Sequence, residues 1–154
     1  MRHRRTGAAA LTIATLALAG CGADSSANTS AKPELKVTGA YMPAPSMDSM
    51  AAGFFIVTNS GSADTLTSVT SDLSDDITLH STKDGTMEEE KSFTVPADGT
   101  LDFASGGNHL MFEKLTHRPK QGEKVSVALH FAKSGTVKIS MPVQSATYNP
   151  KTGH

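Results

Sequence analysis

From residue 35 to about 147 the chain is cut into short pieces by turn-forming clusters, and this punctuation limits what it can fold into. Asn59-Ser60-Gly61-Ser62, Lys83-Asp84-Gly85, Ala97-Asp98-Gly99, Ser105-Gly106-Gly107 and Ser134-Gly135 each place Gly, Asn, Asp or Ser where a chain reverses. Between them hydrophobicity alternates with period two. Val125, Val127, Leu129 and Phe131 alternate with Ser126, Ala128 and His130; Val137, Ile139 and Met141 alternate with Lys138 and Ser140. That period suits strands with one face in a core. Further strands are expected at 35–38, 53–58, 66–69, 77–81, 89–94, 100–103 and 110–114. No segment keeps a helical period over three turns. The expected class is all-β, a sandwich or barrel of a single domain. With no Trp and 5% aromatics, its core must rest on Val, Leu, Ile and six Phe. The adjacent Phe54 and Phe55 point to opposite strand faces, so one ring is expected at an edge or under a loop.

The N-terminus reads as an export signal. Arg2, His3, Arg4 and Arg5 precede an apolar run from 8 to 19, too short to span a membrane comfortably. Leu18-Ala19-Gly20-Cys21 resembles a bacterial lipobox. This implies a signal peptide over 1–20, cleavage before Cys21 and lipid on that cysteine; the alternative is an ordinary signal peptide with an incidental cysteine. Residues 21–34 then form the lipidated Cys and a flexible Ser-, Ala- and Asn-rich tether. Residues 35–147 form the folded domain and 148–154 a polar tail. The expected location is the outer face of a bacterial membrane. Cys21 is the only cysteine, so the folded domain has neither thiol nor disulfide. Loss of residues 1–20 leaves 11 of 14 basic residues against 15 acidic ones, a formal charge of about −4. A mildly acidic exported domain is a poor candidate for nucleic acid.

The residues that carry chemistry are two histidines and two methionines, in the pattern His80–x6–Met87–x21–His109–x–Met111. Thioether sulfur with imidazole nitrogen favours Cu(I) over zinc, calcium or magnesium. His109 and Met111, two apart in a strand, share a face at about 6.6 Å along the chain. Leu110 and Phe112 then anchor the opposite face. Leu79 points inward and His80 outward, and the turn at 83–86 returns the chain to Met87 as a hairpin. Two His/Met pairs could build a tetrahedral N2S2 site, accessible at one end of the domain. Thioethers bind without deprotonation, whereas imidazoles must be neutral, so affinity should fall below about pH 6.

Taken singly, a strand histidine is usually solvated or hydrogen-bonded and a methionine is usually core filler. Met42, Met47 and Met50 are read as loop or rim residues, with a copper-gathering loop as the alternative. Met141 is read as core, and His130 and His117 as surface. A second site at His154, taking Cu(II), is a weak alternative.

The stretch from His80 to Met111 resembles the PCu(A)C family of periplasmic copper chaperones. Met87–x21–His109–x–Met111 matches its pattern. Val95-Pro96-Ala97, Gly106-Gly107-Asn108-His109-Leu110-Met111, Ala40-Tyr41, the small residues Ala51, Ala52 and Gly53, and Phe55-Ile56-Val57-Thr58-Asn59 are also similar. The likeness covers roughly 35–145. The departure is the spacing of six between His80 and Met87, where the family has about ten. The resemblance implies a cupredoxin-like Greek-key β-sandwich and Cu(I) held by His80, Met87, His109 and Met111. It also implies delivery toward the CuA centre of cytochrome c oxidase, with a Sco-type protein or oxidase subunit II as partner. A blue-copper electron carrier would need a Cys thiolate that the domain lacks. A lipoprotein with a structural or general copper-buffering role is the other alternative. An enzyme is not expected: no Ser-His-Asp order, phosphate loop or paired carboxylates stand out beyond Glu88-Glu89-Glu90.

Overall fold

The computed structural model describes residues 31–152; the signal peptide, Cys21, most of the tether and His154 lie outside the described residues. Ten strands run in order: β1 (Leu35–Pro43), β2 (Met50–Asn59), β3 (Asp64–Ser71), β4 (Asp76–Lys83), β5 (Thr86–Glu90), β6 (Phe93–Val95), β7 (Thr100–Phe103), β8 (His109–Glu113), β9 (Lys124–Phe131) and β10 (Gly135–Gln144). No helix occurs among the described residues. The strand order is β5-β4-β8-β2-β1-β10-β9-β3-β6, with β7 also paired to β2. All neighbours are antiparallel except β1 and β10, where Met42 and Pro43 run parallel to Val143 and Gln144. That short parallel contact joins the two halves of a cupredoxin-like β-sandwich.

The alternation does its expected work in β9, where Val125, Val127, Leu129 and Phe131 are all buried. They meet Phe55, Val57, Leu110, Phe112, Met141 and Val143 in one core. Phe55 stacks on Phe103 with ring centroids 4.4 Å apart. Phe54 faces the other way, under Tyr41 (5.2 Å), which in turn meets Tyr148 edge-on. Two expectations need correction. Met42 is not a rim residue: it lies inside β1, fully buried, because β1 runs on past its bulge near Gly39 to Pro43. The strand expected at 89–94 is two strands, broken at Lys91 and Ser92. Its first half pairs with β4 and its second with β3, so the chain crosses there between the two halves of the sandwich.

Asp64 clasps the start of β3 to the β9–β10 turn. Its carboxylate accepts from the backbone N–H of Thr65 (2.7 Å), Lys133 (2.9 Å) and Ser134 (2.9 Å) and from the Ser134 hydroxyl (2.6 Å). Burial alone would raise its pKa; the hydrogen bonds outweigh burial and hold it below the ordinary carboxylate value. A folded-state pKa lowered in this way adds stability above the ordinary carboxylate range, and that stability is lost as pH falls through the folded value. Asp64→Ala should therefore cost about 2–3 kcal/mol near neutral pH by leaving buried donors without an acceptor. Urea melts of wild type and variant should converge in acid; a gap independent of pH would contradict the clasp.

Candidate metal centre

Strand pairing fixes which side chains share a face. β4 lies between β5 and β8, with His80 directly opposite His109, Thr78 opposite Met111, and Asp76 opposite Glu113. On its other side His80 faces Glu89, and Thr82 faces Met87. Cross-strand partners point the same way, so His80, Met87, His109 and Met111 all stand on the outer face. Leu79, Leu110 and Phe112 point inward and are buried, as the alternation requires. The packing beneath this face needs Gly53 of β2, which lies beside β8 opposite Leu110. A Cβ there would meet the Met141 sulfur at 2.9 Å and the Phe112 ring at 3.0 Å.

The short hairpin keeps this parity. Asp84 and Gly85 form a two-residue turn, with φ of 51° and 77°, between the paired Lys83 and Thr86. Both residues in the left-handed region suit the tight turn that Asp-Gly favours. Met87 is two residues from the His80 partner Glu89 and so shares its face. One residue more or less would have turned it to the opposite side.

The imidazoles of His80 and His109 stack with centroids 5.4 Å apart and an interplanar angle of 22°. His109 is buried, with 7% exposure, so this member of the site expected to be accessible at one end of the domain is itself covered. Its Nδ1 donates to the Gly107 carbonyl at 3.1 Å, which leaves Nε2 with a free lone pair. His80 Nε2 is 2.8 Å from the Thr78 hydroxyl. Its Nδ1 is buried and has no hydrogen-bond partner among the described residues. Such a nitrogen normally costs free energy unless something binds it. The chemistry of the pair fits a metal: each ring is held by an outer partner and keeps one nitrogen for a ligand.

The methionines differ in position. Met111 is two residues from His109 and diagonal to His80. Met87 is diagonal to His80 on the far side, on the edge strand, and 57% exposed. On an ideal sheet Met87 and Met111 would be about 16 Å apart at Cα, two strands across and four residues along. Thus His80, His109 and Met111 are grouped, and Met87 stands off at the hairpin. The short hairpin leaves His80 in direct register with His109. Among the described residues no three His, Cys, Asp or Glu side chains could hold a metal together. His80, His109 and Met111 instead offer two imidazole nitrogens and a thioether sulfur, a donor set that favours a soft ion.

Sequence reading missed the outer partners. Thr78 could have been found as the residue two before His80 on the same strand face. The Gly107 carbonyl could not, because only the loop's path brings it to the ring. His117 and His130 play other parts: the first pairs with Glu123 at 3.2 Å, and the second bridges Thr70 and Thr136 at 2.8 and 3.0 Å.

The family described as "Putative lipoprotein LpqE-like" matches residues 35–143. "Putative lipoprotein Lxx21020" of Leifsonia xyli subsp. xyli is 39% identical over 101 residues, which is 62% of this chain and 61% of that protein. The chain thus spans less than two thirds of that relative's length. Among solved structures, the apo PCuAC domain of PmoF2 superposes with a TM-score of 0.65 at 22% identity, covering 74% of this chain and 92% of that one. The copper-bound PCuAC domain from PmoF2 gives 0.64 at 23% identity, covering 72% and 92%. The solution structure of CuI-DR1885 from Deinococcus radiodurans gives 0.63 at 26% identity, covering 79% and 85%. The chain belongs to the LpqE-like lipoprotein family, and its fold is that of the PCuAC domains.

Proposed function

We propose that the protein is an extracytoplasmic copper chaperone, a carrier rather than a catalyst. It binds one Cu(I) through His80, His109 and Met111, with Met87 closing over the ion from the hairpin. The observation that carries this reading is the direct pairing of His80 with His109, one imidazole nitrogen of each left for a ligand, beside Met111 on the same face. The likeness to a copper-bound PCuAC domain and to CuI-DR1885 supports copper as the cargo. Membership of a lipoprotein family supports a lipid anchor at Cys21 on the outer face of a bacterial membrane. Neutral sulfur and nitrogen donors without a thiolate suit a site that must release its ion to an acceptor. The acceptor we propose is the CuA assembly route of cytochrome c oxidase, through a Sco-type protein or subunit II.

Cu(I) titration against a competing chelator checks the site. Wild type should take up one equivalent tightly. His80→Ala, His109→Ala and Met111→Ala should each weaken it by more than the about 10–100-fold expected of an outer partner. Met87→Ala should weaken binding less and speed release, because its strand lies at the sheet edge. Equal weak binding in all five proteins would refute the reading. Binding without transfer to an acceptor domain bearing CuA ligands would point to buffering instead.

Thr78→Val removes the hydroxyl that orients His80 and adds no new ligand. It should lower Cu(I) affinity by about 10-fold while leaving the melting temperature nearly unchanged. An unchanged affinity would show that the Thr78 contact does not position the ring.

A further inference from the structure

The soft donors do not stop at the site. β2 lies next to β8, with Ala52 opposite Met111 and Met50 opposite Glu113. Met50 is therefore one strand across and two residues along from Met111. Met111 stands in the same relation to His80, and His80 to Met87. These side chains form a diagonal over four adjacent strands, each step about 7–8 Å at Cα. His109 sits beside the middle of the line.

Beyond Met50 the line reaches the loop before β2. Met47, Met50 and Met111 line one groove of about 270 Å³, walled by Pro43, Pro45 and Ala52. No charged side chain lines it. The loop is held in place from outside: Arg118 Nε donates to the Pro45 carbonyl at 2.9 Å and its guanidinium meets Asp48 at 3.4 Å. The two large apolar side chains that are exposed among the described residues are Met47 (52%) and Met87 (57%). They stand at opposite ends of the diagonal. Packing does not account for methionine at these ends, since the thioethers meet solvent rather than filling a gap.

We propose that Met47 and Met50, together with Met111, form a second and weaker Cu(I) site, the port through which the ion reaches the histidine pair. The inference rests on the copper reading of His80, His109 and Met111. Three neutral thioethers without an imidazole or carboxylate select a soft monovalent ion and hold it loosely. Met111 belongs to both sites, so its sulfur can stay bound while the other ligands exchange. The groove then serves as a relay: an ion held by Met47, Met50 and Met111 keeps Met111 and exchanges the other two thioethers for the two imidazoles.

The test uses the full chain carrying Cys21→Ser, so that no thiol competes, with Met methyl resonances followed by NMR. Ag(I), a redox-inert probe for Cu(I), is added in steps. The first equivalent should shift Met111, and further equivalents should shift Met47 and Met50. Met47 and Met50 methyls that stay unmoved at several equivalents would overturn the port. The double variant Met47→Leu/Met50→Leu keeps apolar volume and removes both sulfurs. Its affinity for the first Cu(I) should match wild type, while its uptake of Cu(I) from a chelator complex should slow several-fold. Unchanged uptake kinetics would also overturn the proposal. The two failures are distinguishable. If His80→Ala and His109→Ala leave the tight site intact while Met47 and Met50 still respond to Ag(I), the histidine site and the port leading to it are refuted, and only soft-ion binding in the groove remains.

Discussion

The arrangement of this protein depends on one register, the antiparallel pairing of β4 with β8 that sets His80 opposite His109. Because side chains alternate along a strand, a one-residue slip of β4 would turn His80 into the apolar core and Leu79 to solvent, and the same slip of β8 would do this to His109, Leu110 and Phe112. The hydrophobic residues therefore enforce the position of the polar ones. Leu110 and Phe112 are completely buried and Leu79 nearly so. Polar contacts lock the far end of the same pair. The Ser74 hydroxyl donates to the Glu113 carbonyl, and Lys114 meets Asp76 at 2.8 Å. Core and site share the same strands, and the free energy that builds one aligns the other.

Around that register the soft donors share their face with three carboxylates, Asp76, Glu89 and Glu113. The donors are imidazole and thioether, and the nearest outer partners are a hydroxyl and a backbone carbonyl. The carboxylate directly across from His80 is Glu89, on the edge strand. Partial burial makes an unmatched imidazole nitrogen costly, which favours a bound ion. The exposed Met47 and Met87 at either end leave two ways onto the face. In the copper reading proposed above, such a buried centre with open margins would hold an ion and still exchange it.

Several of these features were legible in the sequence for simple reasons. Val125, Val127, Leu129 and Phe131 announce a half-buried strand because period two has no other economical meaning. Asp84-Gly85 announces a tight hairpin because few residue pairs tolerate two successive left-handed conformations. His109-x-Met111 announces a shared face for the same geometric reason. Other features were not legible. Met42 looks like part of a loop because Pro43 and Pro45 follow it. It is buried because its strand end packs alongside Val143, a hundred residues away in sequence. The break at Lys91 and Ser92 is invisible locally, since either half could continue the strand; it follows from two different partners, β4 and β3.

The sequence by itself determined the all-β class, the inward and outward faces of each strong strand, the absence of a thiol in the domain and the softness of its donor set. These are properties of residue type and short-range period. Tertiary structure decided which strands are neighbours, and with that the meaning of the four His and Met positions. It paired His80 with His109, buried His109, left Met87 on an edge strand and placed Met50 and Met47 next to Met111. The reason is that cross-strand contacts depend on the order and register of strands far apart in the chain. Alternation along one strand says which way a side chain points, but not which side chain from another strand stands beside it.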